Sequence, residues 1–307
     1  MYIFIVNPIA GNGRSKKIYE RLTQTDTFKR ISSDVYFTKY KGHARKIVSE
    51  ISEMDQSPRA IIVIGGDGTM NDIANGMEHF DIPIGFIPGG SGNDFARGCH
   101  IKGKPEELFA KIVDHGTSLH YWFGTYKKDD REGRFANNLG LGLDAEVAKE
   151  ANESTYKRFL SKFGLGNLSY LIALIRVVLT FRPKTIELIY DNEKRKLENC
   201  WVVTISNHPY LGGGMKFIPT AKIRKKYLSV LIVHSIPKWK VLTLFLTVFT
   251  GYHIRYKEVE VFETKKLHIS SNETLIYHTD GETDAGKTFI INKENEHAHI
   301  VGTTKPT

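Results

Sequence analysis

The sequence predicts an α/β unit on a parallel sheet, followed by a largely antiparallel β-rich region. Over roughly the first 120 residues, short apolar runs alternate with segments of helical spacing. Three of those runs end in glycine-rich turns. After about His120 the strands lengthen and polar turns join them.

The elements follow in order. Tyr2–Val6 is a first strand, ended by Asn7-Pro8, with helical spacing from about Ser15. Val35–Phe37 is a weak strand and Ala44–Met54 a helix. Ala60–Ile64 is continuously apolar, as in a strand buried on both faces. The helix after Gly68 puts Ile73, Ala74 and Met77 on one side, and Ile84–Ile87 is a further buried strand. The later β segments are KTIELIYDNEKRKLENCWVVTISN, KYLSVLIVHSI, VEVFETKKLHISS, TLIYHTDGE and TFIIN. Helical segments interrupt them at Tyr156–Leu179 and Trp239–Thr250. The expected units are 1–120, completed by 290–307, and 121–289.

Composition narrows the function classes. A formal charge of +9 suits a phosphate-bearing partner, whether nucleotide, nucleic acid or anionic membrane, or a basic soluble surface. Nucleic acid is disfavoured, for the chain has no basic recognition helix or RNP-type aromatic pair. Cys99 and Cys200 form no CxxC pair, so neither a disulfide framework nor a zinc site is expected. The twelve histidines show no ligand spacing; His297 and His299 read as surface, and His43 either faces a ligand or caps a helix. The N-terminus reads as a strand rather than a signal peptide, and the apolar stretch from Val241 is too short to span a bilayer. A cytoplasmic protein is expected.

The glycine turns are NPIAGNG from Asn7, GGDGT from Gly65 and PGGSGND from Pro88. In an open parallel sheet, loops at the carboxyl ends of the strands line one crevice, where glycines let backbone N–H groups approach phosphate. Each turn taken singly also fits a tight βα connection. No Walker A lysine and no GxGxxG fingerprint is present. Asp67, inside the second turn, either caps a helix or positions Mg²⁺ beside polyphosphate, and Asp94 could join it. Asp280 and Glu282, in HTDGE, are either solvated turn acids or the acceptor for a hydroxyl proton.

GGDGTMNDIANGM followed by PGGSGNDFAR resembles the catalytic domain shared by diacylglycerol kinases, sphingosine kinases and bacterial lipid kinases. NPIAGNG, TKYKGHA around Thr38, FANNLGLGLDAEV from Phe135 and HTDGE extend the resemblance over almost the whole chain. It implies a Rossmann-like nucleotide domain of the NAD kinase and phosphofructokinase type, then a β-sandwich, with ATP in the cleft between them. Nucleotide contacts carry over to Asn7, Pro8, Ile9, Ala10, Gly11, Thr38, Gly65, Gly66, Asp67, Gly68, Thr69, Met70, Asn71 and Ser91. Mg²⁺ falls to Asp67 and Asp94, and catalysis to Glu282 as proton acceptor, with Asp280 its rival and Asp67 organising the metal.

Two places depart from the family pattern. Many relatives hold a structural Mg²⁺ with an Asp-Asp-Gly run where this chain has Arg224, Lys225 and Lys226, and an Asp where it has Ser229. Three cations cannot serve as ligands to a fourth, so that site (222–229) reads as lost. The basic groups then either pair with nearby acids or meet anionic phospholipid. Trp122 stands where relatives often carry an acid. The resemblance also places GGGMKFIPTAK, otherwise a flexible loop, at the acceptor cleft.

The expected activity is ATP-dependent phosphorylation of a membrane lipid hydroxyl, on diacylglycerol or a related glycerolipid. The alternatives are a non-catalytic lipid- or nucleotide-binding protein of the same fold, and NAD kinase, against which PGGSGNDFAR and DGE argue. The enzyme would sit at the inner face of the cell membrane, through the apolar and basic segments starting at Leu171 and Pro237, each of which also reads as a core-packed helix ending in a solvated charge cap. Two β-rich edges leave a homodimer open.

Overall fold

The computed structural model describes residues 1–114, 116–154 and 166–304, with the backbone alone for 166–171. The expected helical segment 156–179 therefore lies outside the described residues over 156–165. The chain divides into two compact units, Met1–Phe123 with Asn295–Thr307, and Gly124–Glu294.

The first unit runs β1 (Tyr2–Val6), α1 (Ala10–Leu22), α2 (Asp26–Lys29), β2 (Ser33–Phe37), α3 (His43–Ser52), β3 (Ala60–Gly65), α4 (Asp67–Gly76), β4 (Ile84–Pro88), α5 (Asp94–Gly98), α6 (Pro105–Val113) and β5 (Ser118–Tyr121). The last strand of the chain, β17 (Ala298–Val301), joins the same sheet. Its strand order is β2-β1-β3-β4-β17-β5. Neighbours are parallel through β17, and β5 closes the edge antiparallel. Every residue of β1 and β3 is buried, because helices cover both faces, α1 packing with α6 and α3 with α4. Regular α1 begins only after Gly11, Asn12 and Gly13, which are all left-handed. That places the helix start close to Ser15, as the residue spacing expects.

The second unit holds β6 (Gly124–Lys128), β7 (Arg131–Phe135), β8 (Asn138–Gly142), α7 (Leu143–Glu153), α8 (Gly166–Thr180), β9 (Lys184–Tyr190) and β10 (Glu193–Ser206). It continues with β11 (Tyr210–Leu211), β12 (Met215–Lys216), β13 (Leu228–His234), α9 (Lys238–Thr247), a 3₁₀ turn (Tyr252–Arg255), β14 (Val259–Thr264), β15 (Leu267–Thr279) and β16 (Glu282–Lys293). The path β14-β13-β10-β8-β15-β16-β6-β7 is antiparallel, and β9 pairs with both β10 and β15. Register shifts at 197–200 and 270–275 let β10 and β15 turn from one sandwich layer to the other.

Alternation then makes two cores. Val203, Ile205, Val230 and Ile232 face the sandwich interior with Phe289 and Leu188. Trp201, Val202, Leu231 and Val233 face outward, where Val147, Ala173 and Val241 of α7, α8 and α9 cover them. A register shift between Cys200 and Val202 lets the consecutive residues Trp201 and Val202 reach the same side. The segment from Gly212 is mostly irregular, as its glycines suggest, with a short hairpin at its start. Gly212, Gly213 and Gly214 have positive φ and form the turn of the β11–β12 hairpin. Among the described residues, no helix is long and apolar enough to cross a membrane.

Candidate functional site

Because β1, β3 and β4 are adjacent and parallel, their three glycine turns lie side by side at one edge of the sheet. The main chain stitches them together. Asn7 N–H donates to Ile64 O (2.9 Å), and Gly89 and Gly90 N–H donate to Gly65 O (2.8 and 3.0 Å). Side chains add to this: Asn7 Nδ2 donates to Thr69 Oγ1 (3.1 Å), and Arg14 and Asn93 donate to Gly90 O (2.9 and 2.8 Å). Thr38 reaches the same edge, its N–H on Val6 O at 2.9 Å.

The glycines have separable roles. Gly11 is left-handed (φ 59°), and a Cβ there would lie 2.1 Å from Gly89 O. A Cβ on Gly90 would lie 2.5 Å from Gly66 Cα. These two exist so that turn can pack on turn. A Cβ on Gly68 would meet nothing within 4 Å, so packing does not account for that glycine. Gly68 lies in the first turn of α4, where helix N–H groups point outward at the positive end of the dipole.

The other expected nucleotide residues divide by exposure. Ile9 and Ser91 are exposed, Pro8, Ala10 and Thr38 half-buried, and Thr69 and Asn71 buried. Met70 is fully buried in the core, so only its backbone could face a ligand. His43 Nδ1 accepts the Lys39 N–H at 3.0 Å and the ring stacks on Tyr40, which closes the loop into α3.

Asp67 opens α4, and its Oδ1 accepts the Phe95 N–H at 2.9 Å, tying the second turn to the third. Asp94 is brought to the neighbouring position, nearly buried, and pairs with Arg97 at 2.9 Å. The two carboxylates thus differ: Asp67 is held by an amide, and Asp94 is balanced by a guanidinium. The backbone donors at this helix N-terminus suit phosphate, and the Asp67 carboxylate beside them is the oxygen ligand that suits Mg²⁺, which takes few protein oxygens and keeps water and phosphate ligands.

In the second unit, β15 and β16 form a hairpin whose turn, Asp280-Gly281, has φ of 51° and 90°. Asp280 is anchored from outside the hairpin. Its carboxylate accepts N–H groups from Ala136 (2.6 Å), Asn137 (2.7 Å) and Asn138 (2.9 Å), and its own N–H donates to Asn138 O (3.0 Å). The FANN and HTDGE segments, remote in sequence, therefore meet. Glu282 follows, half-buried, paired across the hairpin with Thr279.

Sequence reasoning missed the groups behind this turn. His278 is buried; its Nδ1 accepts the Gly281 N–H (3.3 Å) and its Nε2 lies 3.6 Å from Asp144, which also accepts Thr204 Oγ1–H (2.7 Å). Asn207 donates to Ala136 O (2.8 Å) and receives the buried Lys293 ammonium. Burial pulls Lys293 down to about 7. Burial, aided by the charge of Lys293, pulls His208 down to about 3. Asp144 and His278 lie inside FANNLGLGLDAEV and HTDGE, whereas Thr204, Asn207, His208 and Lys293 belong to no such motif and are brought in by strand pairing.

At the family-deviant positions, Arg224 pairs with Glu263 at 2.8 Å, while Lys225 and Lys226 are exposed. Three of the histidines, in which the sequence showed no ligand spacing, come together in the fold. His120, His297 and His299 converge, with ligating nitrogens all within 4.8 Å of one another. The signal was HAH at 297–299, an alternation that puts both imidazoles on one face of a strand.

Residues 1–120 match the family model described as the diacylglycerol kinase catalytic domain. Residues 137–292 match the YegS C-terminal NAD kinase beta sandwich-like domain. A Bacillus subtilis protein named "Putative lipid kinase YtlR" is 30% identical over 92% of this chain and 93% of its own length. A diacylglycerol kinase of Mycobacterium tuberculosis is 26% identical over 91% of this chain and 87% of its own. The crystal structure of a diacylglycerol kinase from Bacillus anthracis matches 98% of this chain and 96% of that one, with a TM-score of 0.67. At 20% identity, that is a likeness of fold.

Proposed function

This chain belongs to the diacylglycerol kinase family, phosphotransferases with an alcohol acceptor, and from that premise we propose that it phosphorylates a membrane lipid hydroxyl with ATP. The acceptor we propose is diacylglycerol or a related glycerolipid. The observation that carries the reading is the row of three glycine turns at the carboxyl ends of β1, β3 and β4, with Asp67 among their backbone donors.

ATP with Mg²⁺ supplies a phosphoryl group whose charge is partly neutralised before transfer. The chain's residues hold and orient it. Backbone N–H groups around Gly11 and Gly68 cradle phosphate oxygens, and the open space at Gly68 admits them. Asp67 is the metal carboxylate. Asp94 reaches a metal only by giving up Arg97, so its part is the smaller. Glu282 accepts the hydroxyl proton. Asp280 is the poorer acceptor, because three amides already occupy its oxygens; it positions the turn that carries Glu282.

The lipid is met through the α8–α9 layer. Leu179, Trp239, Leu246, Phe249 and Tyr252 are exposed there, with Lys238 bonded to Leu179 O and Arg255 stacked on Tyr252. Exposed aromatic and aliphatic groups beside cations are what an anionic bilayer surface binds. That surface supports the proposed peripheral location at the inner face of the cell membrane.

The test is transfer of ³²P from ATP to lipid in mixed micelles, comparing the wild type with Asp67→Ala and Glu282→Ala. Labelled phospholipid from the wild type and none from either variant is the expected result. ATP binding with no labelled lipid across a broad acceptor panel would sink the kinase reading in favour of a binding protein, and labelled NADP in a soluble assay would replace it with NAD kinase.

A further inference from the structure

We propose that His120, His297 and His299 form a binding site for a transition-series dication, Zn²⁺ in the first instance, independent of the nucleotide turns. The geometry comes from strand register. β17 and β5 are antiparallel with His299 directly opposite His120, so the two imidazoles share one face of the sheet. His297, two residues before His299, falls on that face as well. Ala298, Ile300 and Tyr121 take the other face and are buried. The three rings lie 4.3, 5.1 and 4.8 Å apart between centroids, and all three residues are half-buried, hence reachable from water.

The donor set selects the ion. Imidazole nitrogen suits Zn²⁺, Cu²⁺ and Ni²⁺, whereas Mg²⁺ takes oxygen ligands. Tetrahedral Zn²⁺ with nitrogens at about 2.05 Å needs them roughly 3.4 Å apart. The present spacing, within 4.8 Å, closes to that by small ring rotations. Three protein nitrogens leave one position for water.

The site is also placed away from the turns. Ile300 is in register with Ile84, the first residue of β4, whereas the glycine turn follows Pro88, its last. Bound metal would clip β17 to β5 across most of the length of the chain, closing a long loop and pinning the returning C-terminal strand. Trp122 stands 5.4 Å from His297 and 6.1 Å from His120, close enough to report occupancy.

The experiment titrates the full chain, stripped with a chelator, with Zn²⁺ against a chromophoric competitor in millimolar Mg²⁺. The expected result is one equivalent bound, with affinity lowered at least about tenfold in His299→Asn and abolished in the triple His→Asn variant. Cu²⁺ should quench tryptophan fluorescence, and Trp122→Phe should remove most of that quenching. Because the three residues are half-exposed, metal-free variants should melt like the wild type. Substoichiometric binding by the wild type overturns the proposal. So does equal binding by the triple variant, or Cu²⁺ quenching that survives Trp122→Phe; the last needs no histidine variant to fold.

Discussion

The glycine-turn edge and the histidine face belong to the same six-stranded sheet and are built by opposite means. At the glycine edge the main chain does the work. Turn packs on turn through Gly65 O, Gly89 and Gly90, and the site's shape is inseparable from the fold. At β5 and β17 the main chain only sets the register, and three half-buried side chains make the site. The packing of turn on turn in the first can be altered only by disturbing backbone; the second can be erased at little cost to stability. The comparison predicts how function and stability separate in each region.

The largest effect is expected for the charged groups proposed to act on the glycine edge's ligand and on the acceptor. Asp67→Asn keeps an oxygen for the Phe95 N–H but loses the charge, and should lower turnover by about 10²–10³ with little change in melting temperature. Glu282→Gln should lower it by about 10²–10⁴, again without unfolding. Asp280→Ala is the contrast. It strips three amides of their acceptor and should cost roughly 1–3 kcal/mol of stability, seen in denaturant melts. If Asp280→Ala melted like the wild type and only turnover fell, Asp280 would be the proton acceptor, and the division of roles within HTDGE would be reversed. None of these variants should change Zn²⁺ binding.

A smaller effect tests the glycines directly. Gly90→Ala drives a Cβ toward the backbone of Gly66 and should destabilise the chain by about 1–3 kcal/mol. Gly68→Ala meets no atom, lies in a helix, and should stabilise it by roughly 0.4–1 kcal/mol. Both should weaken ATP binding, measured by calorimetry. Opposite signs in stability with the same sign in affinity would separate packing glycines from ligand glycines. Unchanged ATP affinity in Gly68→Ala would remove the phosphate from that turn.

The same contrast explains what the sequence made legible. The buried strands around Phe4 and Val63, the parallel sheet, and the turn that carries Asp67 all rest on contiguous residues, where composition and period act locally. The antiparallel half was legible as strands, and the DN turn at Asp191-Asn192, both at positive φ, joins β9 to β10 as expected of a hairpin. What depended on pairing partners remote in sequence was not legible. The three-histidine face needs the register of β17 on β5. The clamp of Asp280 on Ala136–Asn138 needs β15 beside β8. Arg97 takes Asp94 through a single helical turn, a local pairing written in their i,i+3 spacing. Helix phase turns the Met70 side chain into the core, so within that run of nucleotide contacts only its backbone is left to face a ligand.

The smallest effect concerns the basic run that departs from the family pattern. Arg224 reaches Glu263, with side chains 43% and 37% exposed, so solvent screens the pair. Arg224→Ala should therefore cost less than about 1 kcal/mol, and 1 M salt should erase the difference. This is a sharper test than it looks, because the two roles considered for the run diverge here. If the guanidinium stands in for an ion by neutralising Glu263, Arg224→Glu should destabilise more than Arg224→Ala, since it opposes like charges at the same spot. If the run instead serves anionic lipid, Lys225→Ala and Lys226→Ala should weaken binding to phosphatidylglycerol vesicles as much as Arg224→Ala does, with no trend in stability. The ion pair favours the first outcome for Arg224, and the exposure of Lys225 and Lys226 leaves them to report on the second.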